Sequence, residues 1–200
     1  MIRFIRTVIF SIALAGMGWT VSSAAKTLQP APAVPQPSAA SLTPGLAVDY
    51  VYAEALSLGE AGSWRKYSNK HKKGKPLTGF LYPNTNAGDP VLTSTADEFV
   101  IAFIKGFMHF DQAGDHEFRF FSNDGLRVVL GGVRIYQHDF RHPCETKGSV
   151  TVRIPEAGWY EVETLFFQRL NTACLELDIK QPGVEKWTLT TPGMYAHIPE

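Results

Sequence analysis

The stretch FRFFSNDGLRVVLGG, residues 118–132, decides the fold. Its apolar residues alternate with other residues on both sides of Asn123-Asp124-Gly125, and Gly131-Gly132 turns the chain again. Alternation at period two is typical of a strand with one buried face. Asn-Asp-Gly tolerates the positive φ angles of a tight turn. The sequence therefore predicts a β-hairpin centred on Asn123-Asp124-Gly125.

The same pattern continues from Phe99 to Gly183, where short apolar runs end at Gly-containing turns about 8 to 15 residues apart. Helical periodicity is not evident, so we predict an all-β fold, an antiparallel β-sandwich or jelly-roll-like barrel. Residues 99–104 are apolar on both faces, which predicts a central strand that Gly106 ends. The predicted strands are 46–53, 99–104, 118–121, 126–136, 150–154, 160–166 and 173–179, with a turn over 107–115 and a closing strand near 188–190.

The N-terminus has the pattern of a secretory signal peptide over residues 1–25. Arg3 and Arg6 precede an apolar run of about 12 residues, which small residues follow. A bilayer span needs about 20 apolar residues, so an uncleaved anchor is the less favoured alternative. Residues 26–44 are rich in Pro and Ala and predict an extended linker, either a functional spacer or a segment without a role. Residues 45–200 predict one folded domain.

The charge balance limits the classes of binding partner, and the cysteine content indicates the cellular compartment. The chain has 19 Lys and Arg against 19 Asp and Glu, which argues against bulk binding to nucleic acid or to anionic lipid. Cys144 and Cys174 are its two cysteines. In an exported protein they are expected to form a disulfide, and two free buried thiols are the alternative.

Several motifs, in this order, resemble the protective-antigen-type (PA14) domain family. Each motif is weak alone, and their order and spacing carry the resemblance, which covers about residues 46–183. It implies a β-sandwich found in secreted toxins, adhesins and glycosidases, often as a carbohydrate-binding module. The motifs are Gly106, Gly114-Asp115-His116-Glu117-Phe118, Ser122-Asn123-Asp124-Gly125, Gly131-Gly132, Ala157-Gly158-Trp159-Tyr160 and Gln181-Pro182-Gly183.

The resemblance also implies a ligand site. In sugar-binding members, tandem aspartates joined by a cis peptide hold a calcium ion that in turn holds sugar hydroxyls. Asp124 matches the second aspartate, whereas Asn123 replaces the first, so weaker calcium binding is expected because an amide adds no charge. A second binding loop follows the Tyr-containing strand. The ligand residues implied are Asn123, Asp124, Gly125, Gln168, Arg169 and Asn171.

Other candidate chemistries have simpler explanations. Glu161 and Glu163 share one face of a strand, as a glycosidase pair could, but a solvated strand face has the same pattern. His138, Asp139 and His142 have near-metal spacing. Zinc needs converging ligands, and a loop beside Pro143 gives no helix to align them, so we interpret them as surface residues.

The sequence therefore predicts a non-catalytic, exported protein, periplasmic or secreted. Its expected ligand is carbohydrate or another cell-envelope polymer, bound by end loops with or without calcium. A structural or protein-interaction domain of the envelope is the alternative. Residues from both loops at one exposed pocket would favour the first function, and an uncovered apolar patch would favour the second.

Overall fold

The computed structural model describes residues 27–199. The signal-peptide prediction for residues 1–25 lies outside the described residues and stays a prediction. In the described part of the chain, every helix is too short or too polar to cross a lipid bilayer.

Strands dominate the secondary structure of the described residues. One short α-helix, α1 (Leu58–Ser63), begins at Ser57, whose hydroxyl accepts the Glu60 N–H at 3.2 Å. Short 3-10 helices cover Ala39–Ser41, Trp64–Lys66, Ser68–Lys70 and Pro192–Met194. The strands are β1 (Thr43–Pro44), β2 (Ala47–Tyr52), β3 (Lys72–Lys73), β4 (Leu81–Tyr82), β5 (Val100–Phe110), β6 (Gly114–Asn123), β7 (Leu126–Leu130), β8 (Val133–His138), β9 (Ser149–Ile154), β10 (Gly158–Gln168), β11 (Cys174–Lys180), β12 (Thr188–Leu189) and β13 (Tyr195–His197).

These strands form two antiparallel sheets. The larger sheet has the order β1-β13-β5-β10-β7-β8, with β2 also paired to β5 and β3 paired to β2. The smaller sheet has the order β12-β11-β6-β9, with β4 paired to β11. This arrangement confirms the predicted all-β, antiparallel sandwich.

The main core contains side chains from both sheets. Phe118 and Phe120 of β6 are buried in one cluster with Tyr160 and Phe166 of β10. Each such side chain contributes roughly 1.5–3 kcal/mol to folding when fully buried. This is the burial that the period-two alternation predicts.

A second cluster covers the opposite face of β5. Ile101 and Phe103 pack there with Leu58 and Ala61 of α1. Since β5 lies between β10 and β2 and buries both of its faces, the prediction of a central strand is confirmed.

Gly106 does not end this strand, contrary to the sequence prediction. β5 continues to Phe110, and Gly106 pairs with Val162 of β10. A Cβ atom on Gly106 would lie 2.5 Å from the carbonyl oxygen of Ala196 in β13. The glycine therefore permits the close approach of a neighbouring strand, and the predicted turn over 107–110 is wrong.

The predicted hairpin at Asn123-Asp124-Gly125 is also wrong. β6 belongs to the smaller sheet and β7 to the larger one, so this segment carries the chain from one sheet to the other. Gly125 is needed for space, since its Cβ would lie 2.3 Å from the Phe167 ring. The hairpin with positive φ angles joins β7 to β8, at Gly131 (φ 47°) and Gly132 (φ 78°).

The described part of the predicted linker lies along the sandwich and is not a free tether. Ala31 and Ala33 donate backbone hydrogen bonds to Gly131 (3.0 Å) and Trp159 (2.9 Å). The Gln36 side chain also bonds to the backbone of Trp159. The segment is extended, as its proline content predicts, but its backbone groups bond to partly buried residues of the sandwich.

We predict that Gly106→Ala lowers the free energy of unfolding by about 1–3 kcal/mol, because the added methyl group overpacks the contact with β13. Urea denaturation measures this change. Gly59→Ala in α1 is the matched control, since its Cβ would meet its nearest neighbour at an ordinary 3.6 Å. Equal stability changes in the two variants would contradict the close-approach explanation.

Candidate ligand-binding site

The candidate site lies where the chain leaves β6 for the larger sheet. The peptide bond between Asn123 and Asp124 is cis, as the family resemblance implies. The Asp124 N–H donates to the Phe167 carbonyl at 3.0 Å, and the Phe167 N–H donates to the Gly125 carbonyl at 3.0 Å. These bonds fix Asp124 against the end of β10.

The Asp124 carboxylate joins two loops. Its Oδ1 accepts the backbone N–H of His142 at 3.2 Å, and its Oδ2 accepts that of Arg169 at 2.7 Å. The residue is only 5% exposed. Burial raises the pKa of this carboxyl, whereas the two N–H groups and the nearby Arg141 guanidinium act to lower it.

The loop over residues 169–172 forms one side of the site. Asn171 is exposed and has a φ of 67°, and Thr172 accepts a hydrogen bond from the Asn123 amide at 2.8 Å. The Arg169 guanidinium turns away to Glu54, at 2.6 Å. Gln168 is buried, and its amide lies 3.4 Å from the Thr172 carbonyl. Arg169 and Gln168 therefore support the loop.

A pocket of about 460 Å³ opens between these segments. Of the predicted ligand residues, Asn123, Asp124 and Asn171 line it, whereas Gly125, Gln168 and Arg169 do not. The full lining is Asn123, Asp124, Arg141, His142, Pro143, Leu170, Asn171 and Thr172.

The loop over residues 139–145 forms the wall that sequence reasoning missed. Cys144 is disulfide-bonded to Cys174, which confirms the predicted disulfide. Glu145 also pairs with Ser122 through two backbone hydrogen bonds of 3.2 and 3.3 Å. One signal was available in the sequence: a Cys144–Cys174 bond necessarily brings residues 141–143 close to Thr172.

Comparison with solved structures identifies the fold. The A domain of Epithelial Adhesin 9 from Candida glabrata, in complex with Galb1-3GlcNAc, superimposes with a TM-score of 0.66 at 12% identity, over 86% of this chain and 97% of that one. The PA14 domain of the antifreeze protein MpAFP gives 0.63 at 12% identity, over 78% and 92%. The PA14 sugar-binding domain from an RTX adhesin gives 0.60 at 17%, over 78% and 99%. The protein has the PA14 fold. No protein-family model and no curated protein sequence matches the chain.

Calcium binding at this PA14-fold pocket stays a prediction. The Asp124 carboxylate, the Asn123 and Asn171 amides and the Thr172 hydroxyl are among its lining groups, and calcium prefers oxygen ligands of these kinds. Among the described residues that line the pocket, Asp124 is the one carboxylate, and the positive charge of Arg141 lies near it. The donor set fits calcium in its chemistry and supplies little negative charge, so we expect weak affinity.

The paired glutamates and two tryptophans lie away from this pocket. Glu161 and Glu163 are exposed on β10, as a solvated strand face predicts. Trp159 packs against His109, and Trp187 lies beneath the Arg119 guanidinium at 4.5 Å. These aromatic rings contact protein side chains and do not line the pocket.

We predict that the double variant Cys144→Ala/Cys174→Ala loses roughly 3 to 4 kcal/mol of unfolding free energy, the chain-entropy value for a loop closed over 30 residues. Chemical denaturation with and without reductant measures the loss. Hydrogen exchange should increase most in residues 139–145, because the bond to β11 anchors that loop. Unchanged exchange in this loop after reduction would contradict the anchoring role.

Proposed function

We propose that this protein is an exported, non-catalytic binding module that recognises carbohydrate or another hydroxyl-rich polymer of the cell envelope. The observation that carries the proposal is the convergence of Asn123, Asp124 and Asn171 on one open pocket. These residues come from two segments far apart in sequence. The Asp124 carboxylate binds the 169–172 loop through Arg169 N–H and the 139–145 loop through His142 N–H.

The pocket offers groups that match a sugar ring. A sugar hydroxyl both donates and accepts hydrogen bonds. Its O–H can donate to the Asp124 carboxylate, while Arg141 and the Asn171 amide donate to its oxygen. Charge-assisted bonds of this kind are among the stronger ones. Leu170 and Pro143 present apolar surface to the C–H groups of the ring.

Calcium would add to this recognition without replacing it. We propose that Asp124 and Asn123 hold the ion, as in the resemblance, and that its open positions accept vicinal hydroxyls. The protein's own contribution is a prepositioned carboxylate, since both carboxylate oxygens are oriented by backbone N–H groups before any ligand arrives.

Export and the absence of catalysis have separate support. The disulfide is typical of an oxidising compartment, and the N-terminal pattern predicts a leader. Glycosidases commonly place two carboxyl groups about 5 to 9.5 Å apart, whereas the part of the chain that the structure describes contributes a single carboxylate, Asp124, to this pocket. The PA14 domain of the RTX adhesin is described as sugar-binding, and the Candida glabrata domain was solved with a disaccharide.

A glycan array, probed in calcium and in chelator, tests the proposal. We expect Asp124→Asn to weaken binding of any glycan hit roughly ten- to hundredfold, because it removes a charged acceptor. Asn171→Gly should weaken binding about two- to tenfold, since glycine accepts the positive φ and only the amide is lost. Asp97→Asn, an exposed carboxylate outside the pocket, is the control and should bind as wild type does.

A wild-type protein that binds no glycan in either condition would contradict the carbohydrate proposal. Specific capture of one envelope protein by that preparation would then favour the interaction-domain alternative. A thermal melt with and without calcium separates the two modes of sugar binding, since an ion present at one hundred times its dissociation constant stabilises the native state by about 2.7 kcal/mol.

A further inference from the structure

A cluster of metal-ligating side chains lies at the 139–145 loop. His138 ends β8, and His142 and Glu145 follow within the loop. One potential ligand atom from each residue lies within 4.8 Å of the other two. The two imidazole rings are stacked, with centroids 3.6 Å apart and planes inclined by 12°.

The hydrogen bonding of His142 leaves one ring nitrogen available as a ligand. Its Nδ1 lies 2.9 Å from the Pro143 carbonyl oxygen. A carbonyl only accepts, so Nδ1 carries the hydrogen and Nε2 of the neutral ring holds a free lone pair. Histidines that bind metals commonly donate their other N–H to a carbonyl or carboxylate in this way.

Two ring nitrogens in the cluster are buried without a hydrogen-bond partner in the described structure. They are His142 Nε2 and His138 Nδ1. A buried polar atom without a partner is destabilising, and one metal ion can satisfy both.

The loop is held in place, which answers the objection that no helix aligns its ligands. The Cys144–Cys174 disulfide and the backbone pairing of Glu145 with Ser122 fix its end. The Asp139 carboxylate accepts the Leu58 N–H at 2.7 Å and so fixes its start. The donors are thus prearranged by the fold and not by local sequence periodicity.

We infer that His138, His142 and Glu145 form a binding site for a zinc-class divalent transition-metal ion. Two imidazole nitrogens and one carboxylate oxygen are a ligand set that suits zinc, and calcium favours oxygen donors alone. A tetrahedral zinc ion with bonds of about 2.0–2.1 Å would draw the ligand atoms to roughly 3.3 Å of one another. Because the two imidazole rings are stacked, they must rotate until both ligand nitrogens point at the same ion. The fourth coordination position of the zinc ion stays open to water.

Isothermal titration of the tag-free, chelator-stripped full chain with zinc chloride tests this site. We expect one ion per chain, and at least tenfold weaker binding in both His138→Gln and Glu145→Gln. His109→Gln is the matched control: His109 lies 3.2 Å from the Asp111 carboxylate, and the described residues place no third ligand at that pair. It should bind zinc as wild type does.

These titrations distinguish a specific zinc site from adventitious zinc binding and from misfolding of a variant. Glu145 is exposed, so Glu145→Gln decides the question even if His138→Gln fails to fold. Failure of wild type to take up zinc, or equal weakening in His109→Gln and Glu145→Gln, overturns the proposal. Glycan binding plays no part in these titrations, so their outcome is independent of the proposed function.

Discussion

The hydrogen bonds to the Asp124 carboxylate are the interaction on which the whole site depends. One oxygen binds the 139–145 loop through His142 N–H, and the other binds the 169–172 loop through Arg169 N–H. Burying a carboxylate is costly, which is why the pKa of Asp124 is raised. Each hydrogen bond to a charged acceptor stabilises the folded state by about 1.5–3 kcal/mol. Loss of the carboxylate would also leave two backbone donors unpaired.

The position of this carboxylate follows from the change of sheet between β6 and β7. Gly125 lets the chain pass against the Phe167 ring, and the Asp124 side chain consequently meets two loops instead of a paired strand. The disulfide holds a third segment beside Asp124. It links the 139–145 loop to Cys174 at the start of β11, and Cys174 pairs with Asn123. Backbone bonds and one cross-link therefore shape the pocket before a ligand is present, and less ordering entropy is lost on binding.

Sequence patterns predicted the strands well, because burial of one face imposes period-two alternation on segments such as Phe118–Phe120. They failed at Asn123-Asp124-Gly125, since alternation says which residues are buried but not to which sheet a strand belongs. Gly106 was misinterpreted because a glycine that admits a neighbouring strand resembles one that ends a strand. Asn123, Asp124 and Asn171 were found through family resemblance. Arg141 carries no local signal of its own, and the one sequence feature that places its loop near Thr172 is the neighbouring Cys144–Cys174 pair.

His142 connects the two proposed sites physically. Its backbone N–H binds Asp124 in the pocket, while its ring belongs to the proposed metal cluster. An ion that fixes this ring also restricts the N–H on the same residue, so metal loading would reduce the ordering that a glycan must impose on the 139–145 loop. Thermodynamic linkage makes this effect reciprocal: whatever factor zinc adds to glycan affinity, the glycan adds to zinc affinity. A coupling of 1.4 kcal/mol would be about tenfold, and among the described residues His142, which lines the pocket and belongs to the metal cluster, is the residue that would transmit it.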